Sequence, residues 1–232
     1  MKQLIILTAL IFSFFFSFSQ TKEQDSLTVQ LTYEKQDSAK VETSIQLIKL
    51  LYQSNDFKKA LLYINRSEEL SASLDYYSAT AELRYYKALI YTQNNDYFNA
   101  LDNYNKSLNL FIQLNDSLGM AKVNNSLGLI EIRRGNYNKG LRHSLSAIDV
   151  FERKNLLDQL SQAYNNLAEA YFNTNQNEEA LEYNFKALRV RELLKDAEGI
   201  KLSTNNIANL YALSKEHRKA IEYYEKVLKL LN

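Results

Sequence analysis

The feature that most constrains this chain is a recurrence every forty residues. Starting from Ala60, the same register holds Ala100, Gly140, Ala180 and Ala220, a small residue each time. The adjoining column reads Leu61, Leu101, Leu141, Leu181 and Ile221, and a third reads Leu70, Leu110, Val150, Val190 and Leu230. A fourth, twelve positions before the first, holds Ile48, Ala88, Gly128, Ala168 and Ala208. Four columns in phase over five periods make an internal repeat. A repeat of this length is one supersecondary unit, and it buries its apolar face by stacking on its neighbours.

Within a unit the apolar spacing is helical. In the third, Leu127 and Ile130 share one face of a first helix, while Leu141, Leu145, Ile148 and Phe151 recur at threes and fours along a second. Between the two, Gly135 shares a column with Asn55, Asn95 and Asn175, residue types that tolerate the left-handed conformation ending a helix. Asp116 and Asp196 are placed to cap the first helices that follow them. Gly128 and Gly140 fit a close crossing of two helices in one hairpin, and Leu141 and Leu181 are expected between helices. Composition agrees: no proline and only five glycines leave too few turn formers for a strand-rich fold of this size. The spacing predicts an all-α chain of about five units, at residues 41–80, 81–120, 121–160, 161–200 and 201–232.

The stretches "NNSLGLIEIRRGNYNKGLRHSLSAI" and "YNNLAEAYFNTNQNEEALEYNFKAL" resemble tetratricopeptide (TPR) repeats. The likeness rests on Leu127–Gly128, Leu167–Ala168 and Ile207–Ala208, and on the aromatics Tyr91, Tyr171 and Tyr211 that follow this pair. The small residue of the second helix and a second small one, at Ala147 and Ala187, complete it. It implies an α-solenoid of antiparallel helix pairs, coiled as a right-handed superhelix whose first helices line a concave groove. Two features depart from the family pattern: the unit is longer than the usual about 34 residues, and no proline closes it. The first unit, with Ser44, Gln46 and Leu47 in place of the signature, reads as a terminal cap.

A column of asparagines needs an explanation, because asparagine is a mediocre helix former. Counted from Ala121 as position one, Asn125, Asn165 and Asn205 fall at position five, with Ser126, Asn166 and Asn206 beside them. The resemblance places these positions on the groove wall. There an amide, both donor and acceptor, can hold the main chain of an extended peptide. Asn209, Glu169, Asn173, Lys122 and Arg133 project nearby on the same reading, and Tyr85 and Tyr86, with Tyr52, supply an aromatic end. The same amides can instead bond to neighbouring helices and set stacking register. Both roles stay open from sequence, whereas Tyr91, Tyr171 and Tyr211 read as packing residues.

The chemistry of the chain points away from catalysis. The two histidines, His143 and His217, and the absence of cysteine give no metal set and no disulfide, and no nucleophile or phosphate-loop motif occurs. A net charge of +1 lacks the basic excess of a nucleic-acid binder. The Lys, Asn and Arg set that grips a terminal carboxylate in eukaryotic TPR clamps is not assembled. The expected function is a non-catalytic scaffold that grips a protein or peptide partner, without cofactor, metal or nucleic acid.

Residues 1–20, "MKQLIILTALIFSFFFSFSQ", have a basic start, an apolar run from Leu4 to Phe18, and small residues at Ser17 and Ser19. They read as a secretory signal peptide, followed by a linker at 21–35 and the repeat domain at 36–232. The protein is therefore expected outside the cytoplasm, periplasmic or secreted. An uncleaved anchor is the alternative, although the apolar run is shorter than the roughly 17 to 25 residues that span a bilayer. Signal peptide and long repeats together also resemble the exported sensor regions of bacterial signalling proteins. On that resemblance the alternative function is the sensory half of a transducer with an output module beyond residue 232. A membrane-linked signalling partner, or self-association through the uncapped C-terminal helix, goes with it.

Overall fold

The fold is that of a computed structural model of the chain, which describes residues 22–230. The signal-peptide reading of residues 1–20 lies outside the described residues. Every regular element among those described is a helix. In chain order they are α1 (22–33), α2 (Ser38–Gln53), α3 (Phe57–Ser73), α4 (Tyr77–Gln93) and α5 (Tyr97–Gln113). Then come α6 (Ser117–Arg133), α7 (Tyr137–Arg153), α8 (Leu157–Asn173), α9 (Asn177–Leu194), α10 (Ala197–Leu213) and α11 (His217–Leu230). The chain divides between Leu114 and Asn115 into two compact units, one holding α1 to α5 and the other α6 to α11.

The turns show why the helices have nearly one length. Every twentieth residue from Asn55 to Lys215 has a positive φ, so the backbone period is half the sequence period. At Gly135 (φ 80°) the Gly135 N–H donates to the Ile132 carbonyl (2.9 Å) and the Asn136 N–H to the Glu131 carbonyl (2.8 Å). That pair of bonds satisfies the orphan carbonyls of the helix end in the Schellman pattern. It recurs at Asn55, Asn95, Asn175 and Lys215. Where the residue before the next helix is aspartate, its side chain caps that helix. The Asp56 carboxylate accepts from the Lys59 N–H at 3.2 Å, Asp96 from Asn99 at 3.2 Å and Asp196 from Gly199 at 2.9 Å. Asp116 does the same for Leu118 and Gly119, both at 3.0 Å. A three-residue turn thus ends one helix and starts another without proline.

In the first unit α2 packs on α3 and α4 on α5, with α3 bridging to α4. In the second, α6 packs on α7, α8 on α9 and α10 on α11, and α7 and α9 bridge to the pair that follows. Both units are TPR-like stacks of antiparallel helix pairs. Gly128 and Gly140 sit where α6 and α7 cross. A Cβ at Gly128 would lie 3.2 Å from the Gly140 carbonyl oxygen, and one at Gly140 3.1 Å from that of Gly128.

Three expectations need correction. Residues 22–33, read as linker, form α1: Leu27 and Leu31, one helical turn apart, pack into the core with Val41, Ile45 and Ile48. The Gln24 side-chain amide also donates to the Leu50 carbonyl (3.3 Å). The helix pairs begin about one turn earlier than expected, at Tyr77, Ser117, Leu157 and Ala197, because the left-handed residue and cap precede them. The buried stripe of α7 is Gly140, Ser144, Ala147 and Phe151, which leaves Leu145 exposed and Leu141 half-buried. Leu181 is likewise half-buried, and Ile221 is exposed. The small residues of α7 line the closest contact, so the larger ones flank it.

Candidate functional site

Two adjacent asparagine pairs, forty residues apart in register, end in different environments. Asn166 on α8 donates from its amide to the side-chain oxygen of Asn125 on α6 (3.1 Å) and to its main-chain carbonyl (3.3 Å). Both residues are buried, Asn125 to 7% exposure and Asn166 to 5%. The equivalent pair one unit on, Asn165 and Asn206, makes no such bond, and both line a cavity of about 320 Å³. The helices explain the difference. α8 touches α6 directly, whereas α10 makes no comparable contact with α8. Instead α10 is tied to α9, where buried Arg191 donates to Ser203 Oγ (2.6 Å) and to the Gly199 carbonyl (3.2 Å).

The cavity opens among α8, α9 and α10. From α8 come Asn165, Ala168, Glu169 and Phe172; from α10, Leu202, Asn206, Asn209 and Leu210. The contribution of α9 is Asn184, only 3% exposed. Its amide nitrogen donates to the Ala180 carbonyl one turn back (2.8 Å), which turns its carbonyl oxygen away from its own backbone. That oxygen has no donor, and neither has the Asn165 side-chain oxygen. Buried acceptors without partners are uncommon because each carries a desolvation cost. Both residues border the cavity, but the two oxygens themselves are enclosed by the surrounding side chains.

The tetratricopeptide repeat profile matches residues 119–193 and again 159–232. Over residues 119–232 the chain belongs to the tetratricopeptide repeat family. No curated protein sequence matches at a significant level. Among solved structures, BtubC (BKLC) from P. vanneervenii is similar at 17% identity and a TM-score of 0.75, over 91% of this chain and 88% of that one. The STAND signal-transduction ATPase with a tetratricopeptide repeat sensor from Pyrococcus horikoshii aligns at 19% identity and TM-score 0.73, over 88% of this chain and 32% of its own. A Rap protein solved with Competence and Sporulation Factor aligns at 13% and 0.70, over 89% and 57%. At these identities the likeness is one of fold. This TPR chain is a repeat scaffold, a fold that is generally non-catalytic.

The TPR cavity gathers four of the residues singled out from sequence: Asn165, Glu169, Asn206 and Asn209. Asn209 also accepts from the Tyr224 hydroxyl (2.6 Å), which fixes it against α11. The others lie elsewhere. Asn125 and Asn166 bind each other, and Asn205 is half-buried off the cavity lining. Lys122 is half-buried on α6, and Arg133 is exposed in its last turn. Asn173 is exposed and donates to the Glu169 carbonyl of its own helix (2.8 Å). Tyr85 and Tyr86 belong to an aromatic row in the first unit, with ring centroids 5.6 Å apart and Tyr52 6.0 Å from Tyr86. Tyr171 stacks on Tyr183 at 5.5 Å, which joins α8 to α9.

Sequence reasoning missed Asn184 and Phe172. The signal for Asn184 was present in its column, which otherwise reads Ile64, Tyr104, Ser144 and Tyr224. Ile64 and Tyr104 are fully buried and fill their sites. Asn184 is smaller than Tyr104, and its site borders the cavity.

Proposed function

We propose that this protein is a non-catalytic scaffold that binds an extended protein or peptide segment along α8 and α10 of its C-terminal unit. The observation that supports the reading is the open cavity beside these helices, lined by apolar Ala168, Phe172, Leu202 and Leu210 together with polar Glu169, Asn206 and Asn209. A peptide is suited to such a site, since its side chains can fill the cavity while its main chain meets the amides of Asn206 and Asn209 at the mouth. The Rap neighbour solved with Competence and Sporulation Factor has a similar fold and is compatible with this use. We propose further that binding takes place after export, with residues 1–20 removed; N-terminal sequencing of the mature protein should begin at Gln20 or Thr21.

The test is selection of peptides from a displayed random library on immobilised protein, then titration of the winners against variants. Phe172→Ala and Asn209→Ala should each weaken the selected peptides roughly three- to tenfold, the worth of one contact or neutral hydrogen bond. Lys22→Ala, far away in sequence on α1, should not. Selected peptides indifferent to both cavity substitutions would place binding on another surface and reject this site.

A further inference from the structure

A second cavity, of about 410 Å³, opens among α1, α2 and α3 within the first unit. We infer that it is a binding site for a small phosphate monoester. Its charged side chains are both cations, Lys40 and Arg66, and no described Asp or Glu lines it. Arg66 has no carboxylate partner among the described residues. Lys40 gives one N–H to the Glu34 main-chain carbonyl (3.3 Å), which leaves two. The acids of the α1–α2 turn are engaged elsewhere. Glu34 Oε1 accepts from Gln30 (2.7 Å) and Thr43 (2.9 Å), and the Asp37 carboxylate caps α2 through the Lys40 backbone N–H (3.3 Å). Ser67, only 4% exposed, lines the same cavity, and its hydroxyl has no partner among the described residues. Unlike the oxygens of Asn165 and Asn184, that hydroxyl is not fully enclosed. Half-buried Tyr63 brings a second unpartnered hydroxyl.

The repeat register shows why these cations stand free. Three other second helices carry Lys106, Lys186 and Lys226 in the column of Arg66, each paired with an acid one turn back: Asp102 (2.7 Å), Glu182 (2.6 Å) and Glu222 (2.9 Å). In α3 that place is Leu62, so Arg66 has no acid to answer it there. One unit on, Glu68 neutralises Arg84 (3.8 Å) and Lys87 (2.6 Å). Forty residues earlier its place is taken by Thr28, on the cavity wall. Both acids that the register supplies elsewhere are missing at this one site. Two cations with hydroxyl donors beside them match the charge of about −1.5 to −2 and the three acceptor oxygens of a phosphate monoester, whereas a carboxylate answers only one of the two. Leu31 and Leu70 offer apolar wall to the carbon body of the ester. Thr28 and Thr32 donate to the Gln24 and Val29 carbonyls (both 2.7 Å), which leaves their oxygens to accept from hydroxyls on that body. The volume is within the roughly 300 to 1,000 Å³ of small-molecule sites, more than phosphate alone would fill.

The test is calorimetric titration of the full chain, at fixed ionic strength, with glycerol 3-phosphate, inorganic phosphate, glycerate and a capped phosphoserine tripeptide. Glycerol 3-phosphate should bind saturably, and glycerate at least about tenfold more weakly, as expected when charge-assisted bonds are lost. Arg66→Gln and Lys40→Gln should each weaken glycerol 3-phosphate at least about tenfold. Lys58→Gln, which removes the same charge from an exposed place on α3, should leave it unchanged. Thr28→Glu, an exposed change that supplies the acid of the repeat register, should abolish binding with the melting temperature equal or higher. Equal losses in Lys58→Gln and Arg66→Gln would overturn the site in favour of diffuse charge attraction. Glycerate as tight as glycerol 3-phosphate would overturn the phosphate assignment, and inorganic phosphate as tight would overturn the ester body. A phosphoserine peptide that binds more tightly would replace the small ester by a modified protein segment. No saturable binding, with no rise in melting temperature on adding glycerol 3-phosphate, would overturn the site outright. The peptide reading of the C-terminal unit is independent of each of these outcomes and is judged by its own selection.

Discussion

Asn166 on α8 reaches Asn125 on α6 through its side-chain amide, at 3.1 Å to the side-chain oxygen, and so pins two first helices in register. Removing the donor leaves a buried Asn125 oxygen unmatched, a loss of about 1 to 3 kcal/mol. Asn166→Ala should therefore lower the urea midpoint clearly. Asn165→Ala should leave it unchanged or slightly raised, because the Asn165 oxygen already has no donor and alanine is the better helix former. Equal losses in the two variants would show that the asparagines are energetically equivalent, contrary to their environments.

The crossing of α6 and α7 should tolerate no side chain at Gly140. A Cβ there would run into Ile132 Cγ1 and lie 3.1 Å from the Gly128 carbonyl oxygen. Overpacking of this kind costs about 1 to 3 kcal/mol, more than the helix-propensity gain of at most about 1 kcal/mol on replacing glycine. Gly140→Val should lower the melting temperature, read by circular dichroism. A midpoint at or above that of the parent would mean the helices separate freely.

Turn positions should respond to conformation rather than to contacts. Gly135 has φ 80° and nothing within 4 Å of an added Cβ, so Gly135→Ala introduces strain without a clash. The loss should be about 1 kcal/mol, with Gly135→Asn milder because asparagine tolerates the left-handed region. Conversely, Lys215 holds φ 62° with a Cβ in place, so Lys215→Gly should be neutral or stabilising by up to about 1 kcal/mol. Denaturant titration of the three variants checks the order.

Alkaline stability should depend on two phenols. Burial is the main cause that pushes Tyr86 and Tyr164 above the ordinary value of about 10, and at Tyr164 the bond to Glu152 (2.6 Å) adds to it. The folded chain favours the neutral phenol, so this stabilisation is complete below about pH 10 and is lost as pH rises through the folded values. Tyr164→Phe should flatten the fall of the urea midpoint above about pH 10. A parallel decline in variant and parent would remove Tyr164 from the account.

The five-unit all-α organisation was legible in the sequence because it rests on short-range physics. Helical spacing, a left-handed residue at Asn55, Asn95, Gly135 and Asn175, and the caps Asp116 and Asp196 act within a few residues of where they stand. Small residues in phase at Gly128 and Gly140 carried the close crossing as well. Less was legible where one or two distant contacts decide. Two leucines on α1 are too few to mark a helix, yet Leu31 is in the core because Val41 and Ile45 are there to meet it.

The fate of the asparagines was a tertiary decision. Asn125, Asn165 and Asn205 are the same residue in the same column, and local propensity treats them alike. Asn125 is spent on Asn166 because α6 and α8 come together, while Asn165 faces a cavity because α10 is held by α9 instead. A hydrogen bond forms or fails over about an ångström. Helix spacing on that scale is the sum of all the side chains packed between the helices, which no single column of the repeat records.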